Sequence, residues 1–250
     1  MRVIVLGATG EMGRRVSSVL ESRGHSVGRV SRSTGVDVVT GEGLAAAFAG
    51  ADTVLDCLNR PTLSARRATA FFATTARQVA DAARAANVLH LVCLSIVNVT
   101  DPGVNSRLGY YRGKAAQEAV YRAAPVPATV VSSTQWFELA RSLLHQIRMG
   151  RVAVVPRMLA QPVAAGSVAA YLADVVAEGH RPGIVRTIAG PEQHDLADLA
   201  RRLAAVEEPR TRVLRLPLLG AAIAHGALLP GAEARVDPVR FEDWLVSRHD

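Results

Sequence analysis

Lysine is almost missing from this chain. Its 250 residues carry 29 basic side chains, and all but Lys114 are arginine. Arginine stands wherever either would serve, so a lone lysine marks a place where the planar guanidinium fork does not suit. Cysteine is nearly as scarce. Cys57 and Cys93 both lie inside apolar runs, which excludes a disulfide-stapled scaffold and reads as two buried thiols in a reducing compartment. Aromatic residues make up 4%, too few for the stacking platforms of a single-strand binder. The net charge is +7, yet no run of five basic residues occurs. The arginines are spread over nearly every predicted helix, so the charge reads as a solvated surface and no nucleic-acid partner is expected. No apolar run reaches the roughly 18 residues of a membrane span. The longest is broken by Pro217, Gly220, His225 and Gly226. Met1 and Arg2 lead straight into a strand, so no cleavable leader is expected and the chain reads as cytoplasmic. The seven histidines, His25 to His249, show no metal-ligand spacing, and no metal is expected.

What is present starts at the N-terminus. The apolar run Val3-Ile4-Val5-Leu6 stops at Gly7-Ala8-Thr9-Gly10-Glu11-Met12-Gly13, and a helical pattern follows. Each glycine has its own use in a strand–turn–helix that receives a pyrophosphate. Gly7 takes the positive φ of a tight turn. Gly10 has no Cβ to block a phosphate, and Gly13 lets the helix pack down on the strand. The free N–H groups of the helix start then face the anion, helped by the helix dipole. Residues 3–20 therefore read as the first βα unit of a dinucleotide-binding fold.

Strand and helix patterns alternate along the rest, and the chain is 49% hydrophobic. The fold class expected is α/β: a Rossmann-type doubly wound parallel sheet with a small C-terminal α+β substrate-side region. The division expected is a nucleotide-binding domain over 1–150 and a smaller region over 151–250, whose segments can return to the first. Strands are expected at 26–31, near Asp37, and at 53–58, 89–95 and 128–133. Long helices are expected at 61–86 and from 109, an apolar helix at 218–228 as a candidate subunit contact, and a closing helix at 241–246.

Ligands of such sheets bind beyond the carboxyl ends of the strands, which selects the candidate site. An NAD-preferring site has an acidic residue at the end of the second strand; here stand Ser31, Arg32 and Ser33. Arginine with two hydroxyls suits a 2′-phosphate, so NADP(H) is expected over NAD(H). Leu58 and Asn59 follow the Thr53 strand and should approach the cofactor. Ser95 ends the next. Tyr110 and Lys114 are one helical turn apart on one face. A phenol of ordinary pKa is a poor acid–base catalyst at neutral pH, and a fixed ammonium beside it would lower that pKa. Tyr111 is also within reach of Lys114. Thr134, Trp136 and Phe137 lie past the 128–133 strand. Trp136, Phe137 and Met158 are candidate pocket walls, with core packing the equal alternative for Trp136 and Phe137. Apart from Lys114 and Arg107, few charges fall near the strand ends.

These residues resemble an atypical short-chain dehydrogenase/reductase of the NmrA-like, NAD(P)H-binding group. The glycine turn, Ser95, and Tyr110 with Lys114 carry the likeness. Ser133-Thr134-Gln135-Trp136-Phe137, Gln161-Pro162-Val163, Gly190-Pro191-Glu192 and Phe241-Glu242-Asp243-Trp244-Leu245 extend it over essentially the whole chain. The resemblance implies a nicotinamide cofactor and Ser95, Tyr110 and Lys114 as the catalytic trio. Lys114 would also hold the cofactor ribose. Together with Arg32 and its flanking hydroxyls, and with few charges and the candidate walls near the strand ends, the expectation is an NADPH-dependent reductase of a small, apolar or aromatic carbonyl compound or activated double bond, with Tyr110 as proton donor. The group also contains cofactor-binding regulators that sense redox state, and a cofactor-recycling epimerase or isomerase is a third reading. A homodimer is compatible with each.

Overall fold

The structure, a computed structural model, describes residues 1–106 and 108–247; Arg107 and His249 lie outside the described residues. Its first half runs β1 (Arg2–Leu6), α1 (Glu11–Ser22), β2 (Ser26–Val30), α2 (Leu44–Phe48), β3 (Thr53–Asp56), α3 (Ala65–Ala85), β4 (His90–Ile96), α4 (Pro102–Asn105), α5 (Gly109–Arg122) and β5 (Ala128–Ser133). There follow α6 (Phe137–Gln146), β6 (Arg148–Met149), β7 (Val152–Pro156), β8 (Leu159–Ala160), α7 (Ala165–Glu178) and β9 (Arg186–Ala189). The chain closes with β10 (His194–Asp195), α8 (Leu196–Glu207), β11 (Arg212–Leu216), α9 (Ala221–Ala224), β12 (Arg235–Val236) and α10 (Phe241–Val246). It divides into two units. The first comprises residues 1–95, 108–132 and 169–186, the second 96–107, 133–168 and 187–250.

The first unit is built on parallel strands in the order β5-β4-β3-β1-β2. Winding runs outward from β1 to β2 on one side and from β3 through β4 to β5 on the other. The reversal point, between β1 and β3, is where a doubly wound sheet opens its ligand crevice. Central strands β1, β3 and β4 are buried almost throughout, as continuous Val/Ile/Leu runs covered on both faces should be. Edge strand β2 is only partly covered. Ile4, Leu6, Val54, Leu91 and Cys93 form a core with Phe48, Val79, Ala83 and Tyr121, each large side chain contributing about 1.5–3 kcal/mol by burial. Helix α3 begins at Ser64, whose hydroxyl accepts the Arg67 N–H at 3.3 Å. It buries Ala68, Phe72, Thr75, Ala76, Val79 and Ala83, the three-and-four spacing of one helical face. Helix α5 packs on it through two glycines. A Cβ on Gly109 would stand 2.5 Å from the Ala65 nitrogen, and one on Gly113 2.5 Å from Phe72 Cδ2. That contact fixes which face α5 turns to the sheet.

The second unit has a sheet in the order β11-β7-β6, an antiparallel β8–β10 pair and a parallel β9–β12 pair. Phe137 packs on Phe241 and Trp244, with ring centroids 5.4 and 5.5 Å away.

Several expectations change. The strand near Asp37 is a single bridge, Asp37 to Glu42, because Gly41 and Gly43 at φ +85° and +77° turn the chain back at once. The strand at 53–58 ends at Asp56 and that at 26–31 at Val30. The apolar helix at 218–228 is one turn, α9. Gly220 and Gly226, at φ +86° and +103°, leave helical conformation on either side of it. Phe137 and Met158 are buried in the core of the second unit, the packing alternative for Phe137. Among the described residues, no helix is long and apolar enough to cross a membrane.

Candidate cofactor and catalytic site

The turn after β1 gives its three glycines three distinct environments. Gly7 has φ +70°, and a Cβ there would lie 2.9 Å from the Cys57 carbonyl oxygen at the end of β3. A Cβ on Gly13 would meet the Gly7 carbonyl oxygen at 2.2 Å and Ala8 Cα at 2.7 Å. This glycine is what lets α1 sit on the turn. Gly10 is different: the one atom near its Cβ position is the Gly7 oxygen at 3.2 Å, and the rest of that side is open. Gly10 caps α1 without a side-chain hydrogen bond. The first helical bond runs from the Arg14 N–H to the Gly10 carbonyl, so the Glu11, Met12 and Gly13 N–H groups precede the intrahelical ladder. Ala8 and Met12 are buried beneath the turn. The Arg14 guanidinium bonds the Thr9 carbonyl, and Glu11 pairs with Arg15 at 3.2 Å. A turn with open amides at the sheet's reversal point fits a dinucleotide diphosphate.

Past β2, the Ser31 and Ser33 hydroxyls bond each other at 2.7 Å, and Thr34 closes a one-turn cap onto the Ser31 backbone. Arg32 is exposed; its carbonyl accepts the Gly35 N–H at 3.2 Å, and no hydrogen bond or ion pair to another described residue restrains its side chain. Past β3, the Leu58 N–H donates to Asp56 Oδ1 at 2.8 Å, so that amide is committed inside the protein. Asn59 is exposed. In the second unit, the Thr134 hydroxyl donates to the Gln161 carbonyl at 2.7 Å. Gln161 Nε2 donates to the Gly190 carbonyl at 2.7 Å, the Val163 N–H to the Gln135 carbonyl and the Phe137 N–H to the Val163 carbonyl. A Cβ on Gly190 would fall 1.8 Å from the Pro162 oxygen. The Thr134–Phe137, Gln161–Val163 and Gly190 pieces noted in the sequence are thus one interlocked structural knot, with Thr134 inside it.

Ser95, Tyr110 and Lys114 all lie in the first unit, where α5 meets the carboxyl end of β4. Their bonds differ from the simple expectation. Ser95, 2% exposed, donates its proton to Glu118 Oε1 at 2.5 Å, and Glu118 also holds Arg122 at 2.6 Å. Lys114, 4% exposed, donates to the Leu94 carbonyl at 2.6 Å and to Gln117 Oε1 at 2.5 Å. Its Nζ stands 5.1 Å from the Phe72 ring centroid. Two of the three ammonium donors are therefore used within the chain. Tyr110 is half-buried, its ring 5.8 Å edge-on from Phe72 and 6.0 Å from buried Tyr111. Burial pushes the Tyr110 phenol up to about 12, so the lowering expected from Lys114 is not what this geometry provides. Burial likewise pushes the Cys57 and Cys93 thiols up, with Lys114 pulling the other way; both are free cysteines. Among the described residues no group of three His, Cys, Asp or Glu could hold a metal ion.

Sequence reasoning missed the carboxylates and amide that organise this cluster. Asp56, Gln117, Glu118 and Tyr121 are all buried. A signal was present: Gln117 and Glu118 stand three and four residues after Lys114, the spacing of side chains that meet on a helix.

The glycine turn and the strand order agree with the comparisons to known proteins. A family model described as NAD(P)H-binding matches residues 7–178. The Streptomyces griseus protein named (4-alkanoyl-5-oxo-2,5-dihydrofuran-3-yl)methyl phosphate reductase is 31% identical over 264 residues, covering 98% of this chain and 85% of that protein. Among solved structures, the NADPH-dependent quinone oxidoreductase of Escherichia coli in complex with NADPH superposes with a TM-score of 0.69 at 17% identity, over 100% of both chains. The Citrobacter triphenylmethane reductase in complex with NADP(H) superposes with a TM-score of 0.60 at 20% identity, over 87% of this chain and 79% of that one. With the fold, the bare-amide turn and a match over most of its length, the chain belongs to the NAD(P)H-binding family.

Proposed function

We propose that the protein is an NADPH-dependent reductase acting on a small carbonyl compound, or on a carbon–carbon double bond conjugated to a carbonyl. The observation that carries this is on the first two strands. The turn after β1 offers open amides to a diphosphate, and Arg32 past β2 carries a guanidinium with no partner among the described residues, where an NAD site would place a carboxylate. Ser31, Arg32 and Ser33 would hold the 2′-phosphate.

The nicotinamide supplies the hydride when bound. The chain's residues bind, orient and handle the proton. Lys114 has one ammonium donor left for a ribose hydroxyl, and its bonds to Leu94 and Gln117 fix where that donor points. Tyr110 holds a proton. With its phenol pushed up to about 12, it stays protonated through the neutral range and acts as an acid. An alkoxide or enolate formed by reduction is a strong enough base to take that proton. Ser95 gives its own proton to Glu118, so it fastens β4 to α5 and offers only lone pairs outward. The Streptomyces relative, a reductase of an oxo-dihydrofuran, favours a conjugated double bond over a simple ketone. The inward commitment of Ser95 and Lys114 favours a second reading, a cofactor-binding regulator that senses the NADP(H) ratio.

The test is loss of NADPH absorbance against a panel of quinones and unsaturated lactones, with Tyr110→Phe alongside. The reductase reading expects the variant to bind NADPH like the parent while turnover falls about 100-fold or more, the usual weight of a general acid. Undiminished turnover in Tyr110→Phe would overturn Tyr110 as the donor. A panel without turnover, joined to tight NADPH binding, would favour the regulator.

A further inference from the structure

A line of buried polar groups crosses the first unit from the end of β3 to the ammonium of Lys114. The Leu58 N–H donates to Asp56 Oδ1 at 2.8 Å. Gln117 Nε2 donates to Asp56 Oδ2 at 2.8 Å, and the Tyr121 hydroxyl donates to the same oxygen at 2.7 Å. The other end of the Gln117 amide, Oε1, accepts from Lys114 Nζ at 2.5 Å. Asp56 is 1% exposed and Gln117 is fully buried. We infer that Asp56 and Gln117 are positioning residues for Lys114, and that the order of donors and acceptors along this line fixes the ammonium. The inference rests on the reading that Lys114 holds the cofactor ribose.

The physical argument is one of parity. Both ends of the line can only donate: a backbone N–H at Leu58 and an ammonium at Lys114. A carboxylate can only accept, so it faces donors on both sides. The amide between them must then turn its NH2 to Asp56 and its oxygen to Lys114. No other arrangement satisfies every group. The other carboxylate near the site, Glu118, has its oxygens occupied by Ser95 and Arg122, so Asp56 is the counter-charge addressed to Lys114 through Gln117. A buried donor left facing a donor is strongly disfavoured.

Changing Asp56 to Asn breaks the order. The new NH2 meets the NH2 of Gln117, and turning the Gln117 amide over only brings its NH2 against the ammonium. Adding Gln117→Glu repairs it. The oxygen of the introduced asparagine accepts from Leu58, its NH2 donates one hydrogen to the introduced glutamate and the other to the Tyr121 hydroxyl, which rotates from donating to accepting, and that carboxylate accepts from Lys114. Charge and polarity are restored one residue further along, with nearly unchanged volume.

The experiment measures NADPH dissociation constants by fluorescence titration, with thermal melts, for the parent, Asp56→Asn, Asp56→Asn/Gln117→Glu and Lys114→Met. Asp56→Asn is expected to weaken NADPH about tenfold, the effect of one unsatisfied buried donor. The double variant is expected to return to within about threefold of the parent, as coupled neighbours can. A double variant that binds as weakly as Asp56→Asn, or more weakly, overturns the inference. If Asp56→Asn does not fold, the double variant alone decides: parent-like affinity supports the ordered line, and weak affinity overturns it. Lys114→Met tests the underlying reading separately. If it binds NADPH as tightly as the parent, the ribose role fails, even where the melting temperatures still show the double variant rescuing Asp56→Asn.

Discussion

The three glycines of the first turn should fail in different ways when each gains a methyl group. At Gly13 the added Cβ would stand 2.2 Å from the Gly7 oxygen and 2.7 Å from Ala8 Cα. Both are backbone atoms, so no rotamer change relieves the contact and α1 must lift off β1 by more than 1 Å to restore about 3.4 Å. Overpacking of this kind costs about 1–3 kcal/mol, and a rigid backbone neighbour puts it near the top of that range. At about 2–4 °C per kcal/mol for a chain of this size, Gly13→Ala should lower the melting temperature by about 6–12 °C. Gly10 sits at φ −75° and ψ 170°, which any residue adopts, and its Cβ meets only the Gly7 oxygen at 3.2 Å. Gly10→Ala should therefore cost about 1 kcal/mol or less, a small N-cap penalty. Its methyl group would instead occupy the space the diphosphate needs. NADPH affinity should fall about 10- to 100-fold, or about 1.4–2.7 kcal/mol. Thermal melts of the cofactor-free proteins, followed by NADPH fluorescence titrations, separate the two effects. A Gly10→Ala protein with parental NADPH affinity would refute the bare-amide account. A Gly13→Ala protein that melts with the parent would refute the packing account.

Arg32→Ala should weaken NADPH about tenfold and leave NADH unchanged; an equal loss for both would remove Arg32 from the 2′-phosphate. If Tyr110 is the donor, its proton stays in place well beyond neutrality, so turnover corrected for other groups should be flat from about pH 7 to 10; a fall near pH 8 would contradict the burial-raised phenol. His90 is buried, with Nε2 2.8 Å from the Thr129 hydroxyl and His180 and Arg186 nearby, and burial lowers it to about 4. Its neutral form is favoured by folding, so the contribution is complete above pH 6.5 and is lost as the pH falls from 6.5 to about 4. The loss is up to about 3 kcal/mol over that window. Urea midpoints of His90→Gln should change less between pH 7 and 4.5 than those of the parent, and an equal change would show that other groups govern the acid limb.

Local patterns that report on one element were legible in the sequence, and side chains that answer to several elements were not. Gly7, Gly10 and Gly13 carry their roles in their spacing, because strand, turn and helix are contiguous there. The long apolar runs at β1, β3 and β4 announced a sheet covered on both faces. Asp37 misled because a Val-rich stretch was read without weighing Gly41 and Gly43, whose positive φ closes a turn. The stretch around α9 misled for a similar reason, its apolar composition outweighing Gly220 and Gly226. The candidate site was half legible. The placement of Ser95 and Lys114 at the meeting of β4 and α5 followed from strand ends and helix spacing. Their bonds did not, since Asp56 enters from 58 residues upstream of Lys114 in the sequence and only the β3–β4 pairing brings it alongside, with Asp56 opposite Cys93.

The solitary lysine also changes what can be seen of this protein. A chain with one side-chain amine, enclosed at 4% exposure, presents almost no target to acylating or cross-linking reagents while it stays folded. Reductive methylation with isotope-labelled formaldehyde would then place one reporter resonance at Lys114 beside that of the chain's α-amine, and the rate at which it grows would time the opening of the contact between β4 and α5.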